Sequence, residues 1–276
     1  MPRDNIVSAF RFIQRAIPSL LMVALFVSPS FAANSSQKTL SVAIYSPDKA
    51  QAWSLGYLEP VRLSQVISDN IATQLTDNSR GQRNPLRANN IFWLGSTLSS
   101  ASEPENKSRV LKLIDQLVDK EPTSFAVKAS LRANERWISD NIIYTRQFIP
   151  LDFDAIRLNK KLNPLLSGEY HLYLPNRPKS VLIIGATQKP TLVRWQPRLS
   201  AKQYLDKTAL IDNQQKDYAV VIQPDGTVEQ HPVAYWNQNH MDIAPGATIF
   251  IGYSDLPRDY MSLNQEMINL LRNKVL

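Results

Sequence analysis

Apolar and polar positions alternate through Thr39-Leu40-Ser41-Val42-Ala43-Ile44-Tyr45, the two-residue period of a half-buried strand. Ser46-Pro47-Asp48 reads as the turn that ends it, and a second strand falls within Gln51 to Glu59. The period then lengthens. Leu63, Val66, Ile67, Ile71 and Leu75 lie at helical spacing and predict an amphipathic helix over Arg62 to Leu75. Thr76 to Asn90 is polar, holds Gly81 and Pro85, and reads as a loop. Ile91 to Gly95 is a short apolar insert expected to dock on a core. Val110, Ile114, Leu117 and Val118 make one face of a helix from about Pro104 to Lys120, stopped at Glu121-Pro122. Val127, Leu131, Asn134, Ile138 and Ile142 make the face of another. Two helices joined by so tight a break predict a helical hairpin, placed as an insertion between strands.

Beyond Asn141 the pattern shortens. Ile142 to Pro150 and Asp152 to Leu158 read as strands, and Gly168 opens a strand-rich stretch with strands at Glu169–Leu174, Ser180–Ile184 and Thr191–Gln196. Ser200 is placed to cap a short helix from Ala201 to Asp206. Pro224-Asp225-Gly226 between Tyr218–Gln223 and Thr227–His231 is a hairpin signal. Pro245-Gly246 precedes a strand from Ala247 to Tyr253. The segment from about Leu256 to Val275 carries Tyr260, Leu263, Met267, Leu270 and Leu271 on one stripe, which predicts an amphipathic helix that completes a core or docks on a partner or a membrane surface. Strand, strand, helix, strand is compatible with a β-grasp module, one of several α+β arrangements the pattern allows.

Composition adds a compartment. Arg3, Arg11 and Arg15 precede an apolar run from Ala16 to Val27, and Ser30-Phe31-Ala32 supplies small residues for cleavage, so residues 1–32 read as a secretory signal peptide. The run is too short for a comfortable membrane span. No later stretch is apolar for long enough, so no transmembrane segment is expected after signal removal. The chain has no cysteine, which rules out disulfides, thiolate nucleophiles and lipid attachment through an N-terminal Cys. The formal charge is +7, of which the signal region carries +2. The remaining cations are scattered. This is mild basicity suited to acidic glycans or headgroups, not a nucleic-acid footprint.

Motifs for the common chemistries are missing. No G-x-S-x-G, P-loop, G-x-G-x-x-G or H-E-x-x-H occurs, so no cofactor, no metal and no catalytic residue is expected. Asp152 and Asp154 form the best carboxylate pair. On a strand they share a face and could serve a glycosidase, or they accept hydrogen bonds from flanking Arg146 and Arg157. Arg146 offers a planar fork of donors for a carboxylate or phosphate of a glycan or partner, or an internal ion pair with Asp152 or Asp154. Trp236 and His240 are candidates for a sugar-stacking platform. The other reading has Trp236 capping a core and His240 bonded to backbone.

Tyr144-Thr145-Arg146, Leu151-Asp152-Phe153-Asp154 and Arg157 resemble the T-G-R…L-D-P-D…R-V segment of the GfcC-like capsule-biosynthesis family. Asn163-Pro164-Leu165 with Gly168 to Tyr173 is similar to its N-P-P-L…G-D/N-Y-T-L segment. Pro224-Asp225-Gly226 with Pro232 to His240 is similar to P-[DE]-G…P-V-A-x-W-N-x-x-H. Thr145 stands where the family has Gly, and Phe153 where it has Pro. The resemblance implies an α+β fold of two β-grasp-like domains, akin to soluble domains of polysaccharide-export outer-membrane proteins (SLBB-like). It places the first domain at 33–165, with a helical insertion over about 76–142. The second lies at 166–255, with a C-terminal amphipathic helix, 256–276, packed on it. It also implies a non-catalytic periplasmic protein of a Gram-negative bacterium that helps assemble or export capsule or exopolysaccharide. The expected partners are the outer-membrane export machinery or the polysaccharide itself, with contact through the C-terminal helix. A polysaccharide-modifying enzyme using Asp152 and Asp154 and a carbohydrate-binding module built on Trp236 are the alternatives.

Overall fold

Strand alternation becomes burial. In the computed structural model, which describes residues 39–45, 52–77, 91–211, 217–237, 239–254 and 256–276, strand β1 (Leu40–Tyr45) buries Leu40, Val42 and Ile44 and leaves Ser41, Ala43 and Tyr45 half-buried on its other face. Each such apolar side chain contributes about 1.5–3 kcal/mol on burial. The expected signal peptide, the turn at 46–48 and most of the 76–90 loop lie outside the described residues.

β1 pairs antiparallel with β2 (Ala52–Tyr57), with Val42 opposite Leu55. A two-residue strand β3 (Val61–Arg62) leads into α1 (Leu63–Asp77), which buries Leu63, Val66 and Ile67. Next come β4 (Thr97–Ser100), α2 (Lys107–Asp119), α3 (Phe125–Asn141) and β5 (Thr145–Gln147). After α4 (Phe153–Leu158) and β6 (Leu165–Leu166), which pairs with β3, strand β7 (Gly168–Tyr173) runs parallel to β1. The first sheet has the order β2-β1-β7-β4-β5. On its outer face Tyr45 stacks on Tyr173 at 4.5 Å and donates to or accepts from His171 Nδ1 at 3.1 Å, while Tyr144 stacks on His171 at 3.9 Å.

The second sheet repeats the plan. β8 (Ser180–Gly185) and β9 (Thr191–Arg194) form a hairpin, α5 (Ala201–Leu205) follows, then the hairpin β10 (Tyr218–Ile222) and β11 (Val228–Pro232), and last β12 (Thr248–Ile251) parallel to β8. Its order, β11-β10-β12-β8-β9, matches the first sheet when read from β9. The fold is α+β, with two β-grasp-like halves and a terminal helix α6 (Leu263–Leu271) on the second.

The equivalence locates the helical hairpin: α2 and α3 sit where the second half has only the turn between β10 and β11. The insertion belongs to the first sheet by connectivity but to the second by packing. Val110, Ile114, Leu117, Leu131 and Ile138 share one buried cluster with Ile183, Val221, Ile249 and Met267. The first core is separate, built from Leu40, Val42, Ile44, Leu63, Leu98, Ile156 and Leu172.

Three expectations need correcting. Asp152 to Leu158 is helical: Asp152 is an N-cap whose Oδ1 accepts from Ala155 N at 2.9 Å, and this local bond outweighs the apparent alternation. Gly168 to Tyr173 belongs to the first sheet, because β1 needs a parallel neighbour in register from Leu40↔Gly168 to Tyr45↔Tyr173. The terminal helix begins at Leu263; Arg258–Tyr260 is a 3-10 turn after Pro257. Among the described residues no helix is long and apolar enough to cross a membrane.

Candidate functional site

The repeat of the plan brings β5 of the first half under the β10–β11 turn of the second. Gly226, at φ +88, lies so close that a Cβ there would sit 2.9 Å from Phe148 Cε1. The end of α6 closes the third side. Arg146 N donates to Asn273 Oδ1 at 2.9 Å, and Arg272 Nε donates to the Gly226 carbonyl at 2.9 Å. The segment Trp93–Ser96, the strand end at Arg146 and the Phe148–Asp152 stretch complete the wall. Together they enclose a cavity of about 400 Å³, a size that suits a small ligand.

Two guanidinium groups share the Phe148 ring. Arg146 Cζ lies 5.9 Å and Arg272 Cζ 4.2 Å from its centroid, contacts worth about 0.5–2 kcal/mol each. Arg146 is only 6% exposed. Its pKa is pushed down to about 10 by burial, with Arg272 adding to the depression and Asp225 opposing it; it stays charged near neutrality. Among the described residues neither arginine forms an ion pair with a carboxylate, and Arg146 makes no side-chain hydrogen bond. The Arg146 fork and the terminal N–H groups of Arg272 are therefore left for an anion. Lys274 lines a separate hollow with Trp137, Pro178 and Gly246. Its ammonium donates to the Gly246 carbonyl at 2.8 Å, and burial, helped by Arg146, pushes its pKa down to about 7. Two arginines, Arg146 and Arg272, face two acids, Asp225 and Asp152, in the cavity wall.

The candidate residues sort as follows. Arg146 is in the cavity, and the internal ion pair with Asp152 or Asp154 is not formed. Asp152 lines the cavity but spends one oxygen on its cap. Asp154 is outside, in an exposed contact with Arg157 at 3.5 Å, of the kind that contributes little. The two acids do not converge, so the pair expected of a glycosidase is not assembled. Asp152→Ala is expected to cost about 1 kcal/mol of stability, and Asp152→Asn only a few tenths, since Asn caps as well; thermal unfolding of both proteins checks this.

Trp236 does not cap a core. It lies in the 3-10 turn Tyr235–Asn237, 70% exposed beside Tyr235 at 90%. Asn237 Nδ2 pins the turn to the Asp217 carbonyl at 2.8 Å. His240 bonds to the Asp242 carboxylate at 3.1 Å, not to backbone. Neither reaches the arginine cavity. Sequence reasoning missed Arg272, Phe148 and Asp225; of these only Asp225 carried a signal, the turn motif itself. The apolar stripe of α6 is buried in the second core, and the helix offers the site its last turn instead.

The fold and this cavity define a class: two β-grasp-like halves, a helical insertion, and an arginine pocket at their junction. Comparison with known proteins names it. The family model described as "Capsule biosynthesis GfcC, N-terminal" matches residues 36–177, and "Capsule biosynthesis GfcC C-terminal" matches residues 189–276. The chain belongs to the GfcC capsule-biosynthesis family. It is also similar to a protein of Escherichia coli strain K12 described as "Uncharacterized protein YjbG", 30% identical over 174 residues, 61% of this chain and 70% of that protein.

Proposed function

We propose that this protein is a non-catalytic periplasmic accessory in the assembly or export of capsule or exopolysaccharide, acting by holding an anionic group of the polysaccharide, or of a partner in the export machinery, at Arg146 and Arg272. Membership of a capsule-biosynthesis family supports the process. The secretory leader read at residues 1–32 supports the compartment. The observation that carries the binding role is the pair of guanidinium groups on one phenyl ring, with no carboxylate among the described residues ion-paired to either, in the wall of a cavity built by both halves. Burying a cation that Asp225 offsets only in part costs stability, and such a cost persists where a ligand's charge completes the compensation. The acid pair that a glycosidase would use is split between a helix cap and an exposed contact.

A strain lacking the chromosomal copy, complemented with Arg146→Gln, tests the reading. The variant protein is expected at normal abundance with surface polysaccharide reduced at least tenfold. Full restoration by Arg146→Gln would refute the role of the pocket.

A further inference from the structure

The arginine cavity has a neighbour. A second hollow, of about 730 Å³, lies on the far side of the β10–β11 turn, and Leu94, Asp225 and Thr227 line both. The two hollows therefore adjoin along this turn. Each hollow alone fits a ligand of several hundred Å³. Side by side, they fit an extended chain.

The second hollow is built differently from the first. The exposed Arg177 guanidinium lies between two aromatic rings, 5.2 Å from Trp195 and 5.8 Å from Phe92. Trp195 is fixed by its indole N–H, which donates to the Ile243 carbonyl at 2.8 Å. Glu229 is fixed as well. One carboxylate oxygen, Oε2, meets Gln223 Nε2 at 2.7 Å and the buried His231 Nε2 at 2.9 Å. Gln223 is held in turn by the Asp242 carbonyl at 3.0 Å and the Ala244 amide at 3.1 Å. Glu229 Oε1 is left as an oriented acceptor in the wall, beside aromatic and guanidinium faces. Fixed carboxylate acceptors near flat apolar rings match a sugar, which presents hydroxyl donors around an apolar ring face. A lipid tail, which has no donors, would not use them together.

We infer that these adjoining hollows bind an acidic polysaccharide chain across at least two subsites. One takes an anionic substituent at Arg146 and Arg272, and the other takes a neighbouring sugar ring at Glu229, Trp195 and Arg177. This inference rests on the glycan form of the proposed function. It adds that affinity depends on chain length and that Arg177 and Glu229 contribute only to the second subsite.

The test uses fragments of the host cell's own surface polysaccharide, partially hydrolysed and sized from one repeating unit to several, titrated into the full mature protein by calorimetry. The wild type is expected to bind multi-unit fragments at least tenfold more tightly than a single unit. Arg177→Ala, an exposed position, is expected to keep single-unit binding and lose most of that length advantage, and Glu229→Gln to reduce it. Arg146→Gln is expected to weaken fragments of every length. Length-independent affinity, or a length advantage untouched by Arg177→Ala, would overturn the second subsite while leaving the arginine pocket standing. Failure of every fragment to bind the wild type would overturn both this inference and the glycan reading beneath it.

Discussion

Gly185→Ala is expected to lower the stability of the protein by more than about 4 kcal/mol, seen as a fall of at least about 10 °C in the unfolding midpoint. Gly185 ends β8 at φ +106, a conformation L side chains rarely adopt. The added carbon would lie 2.1 Å from the Ile251 carbonyl oxygen, in the backbone of the parallel partner β12. A flexible side chain could yield at that distance, but a paired strand cannot move without disturbing the sheet's central pairing. Gly168 supplies the comparison. Its φ is +95, yet nothing lies within 4 Å of where its Cβ would be. Gly168→Ala is therefore expected to cost only the conformational strain, about 1–2 kcal/mol. Similar losses for both variants, measured by calorimetry, would mean that backbone preference dominates at Gly185 and that the contact with Ile251 is relieved cheaply.

Much of this fold was legible because period and punctuation agreed. The helices α1, α2 and α3 follow runs in which every third or fourth residue is apolar, and Leu63, Val66, Ile67, Val110, Ile114, Leu117, Leu131 and Ile138 from those runs are buried. The β10–β11 hairpin follows Pro224-Asp225-Gly226, and Ser200 caps α5 with Gln203 completing the box. What escaped is what depends on partners distant in sequence. β4, Thr97-Leu98-Ser99-Ser100, has one large apolar residue and no alternation to display, yet it is buried between β7 and β5. The assignment of β7 to the first sheet depends on β1, more than a hundred residues earlier, and no local pattern states which sheet a strand joins. The site was half legible for the same reason. Arg146 stood out as a lone cation among apolar strand residues, whereas Arg272 became relevant only because α6 ends against β5. Residue type alone leaves Trp236 open between a core cap and an exposed platform, and a pinned 3-10 turn holds it outward.

Asn134→Leu, a swap of similar size, is expected to destabilise the protein by about 3–5 kcal/mol and to do so in both halves together. Asn134 is fully buried on α3, where helical spacing marked it only as one more position on an apolar face. The two hydrogens of its amide Nδ2 are shared among the Gly185 carbonyl at 2.9 Å, the Tyr253 hydroxyl at 2.7 Å and the Ser130 carbonyl at 2.9 Å, and its Oδ1 accepts from the Gly185 amide at 3.1 Å. Ser130 Oγ and Tyr253 OH, 2.8 Å apart, close the network, and burial raises the Tyr253 pKa further above its ordinary value. Leucine in this place leaves the Gly185 N–H with no acceptor in a dry interior, a loss of about 1–3 kcal/mol by itself, and the remaining bonds were mutually polarised. The consequence travels because of connectivity. The hairpin that Asn134 fastens to the second sheet is the link between β4 and β5 of the first, and β5 carries Arg146. Loosening α3 therefore frees the edge of the first sheet and the wall of the arginine cavity. Hydrogen exchange on Asn134→Leu is expected to show faster exchange in α2, α3 and β8 and also in β5, with one cooperative thermal transition retained. Faster exchange confined to the second sheet, with β5 protected as in the wild type, would mean that the two halves are coupled by something other than this hairpin.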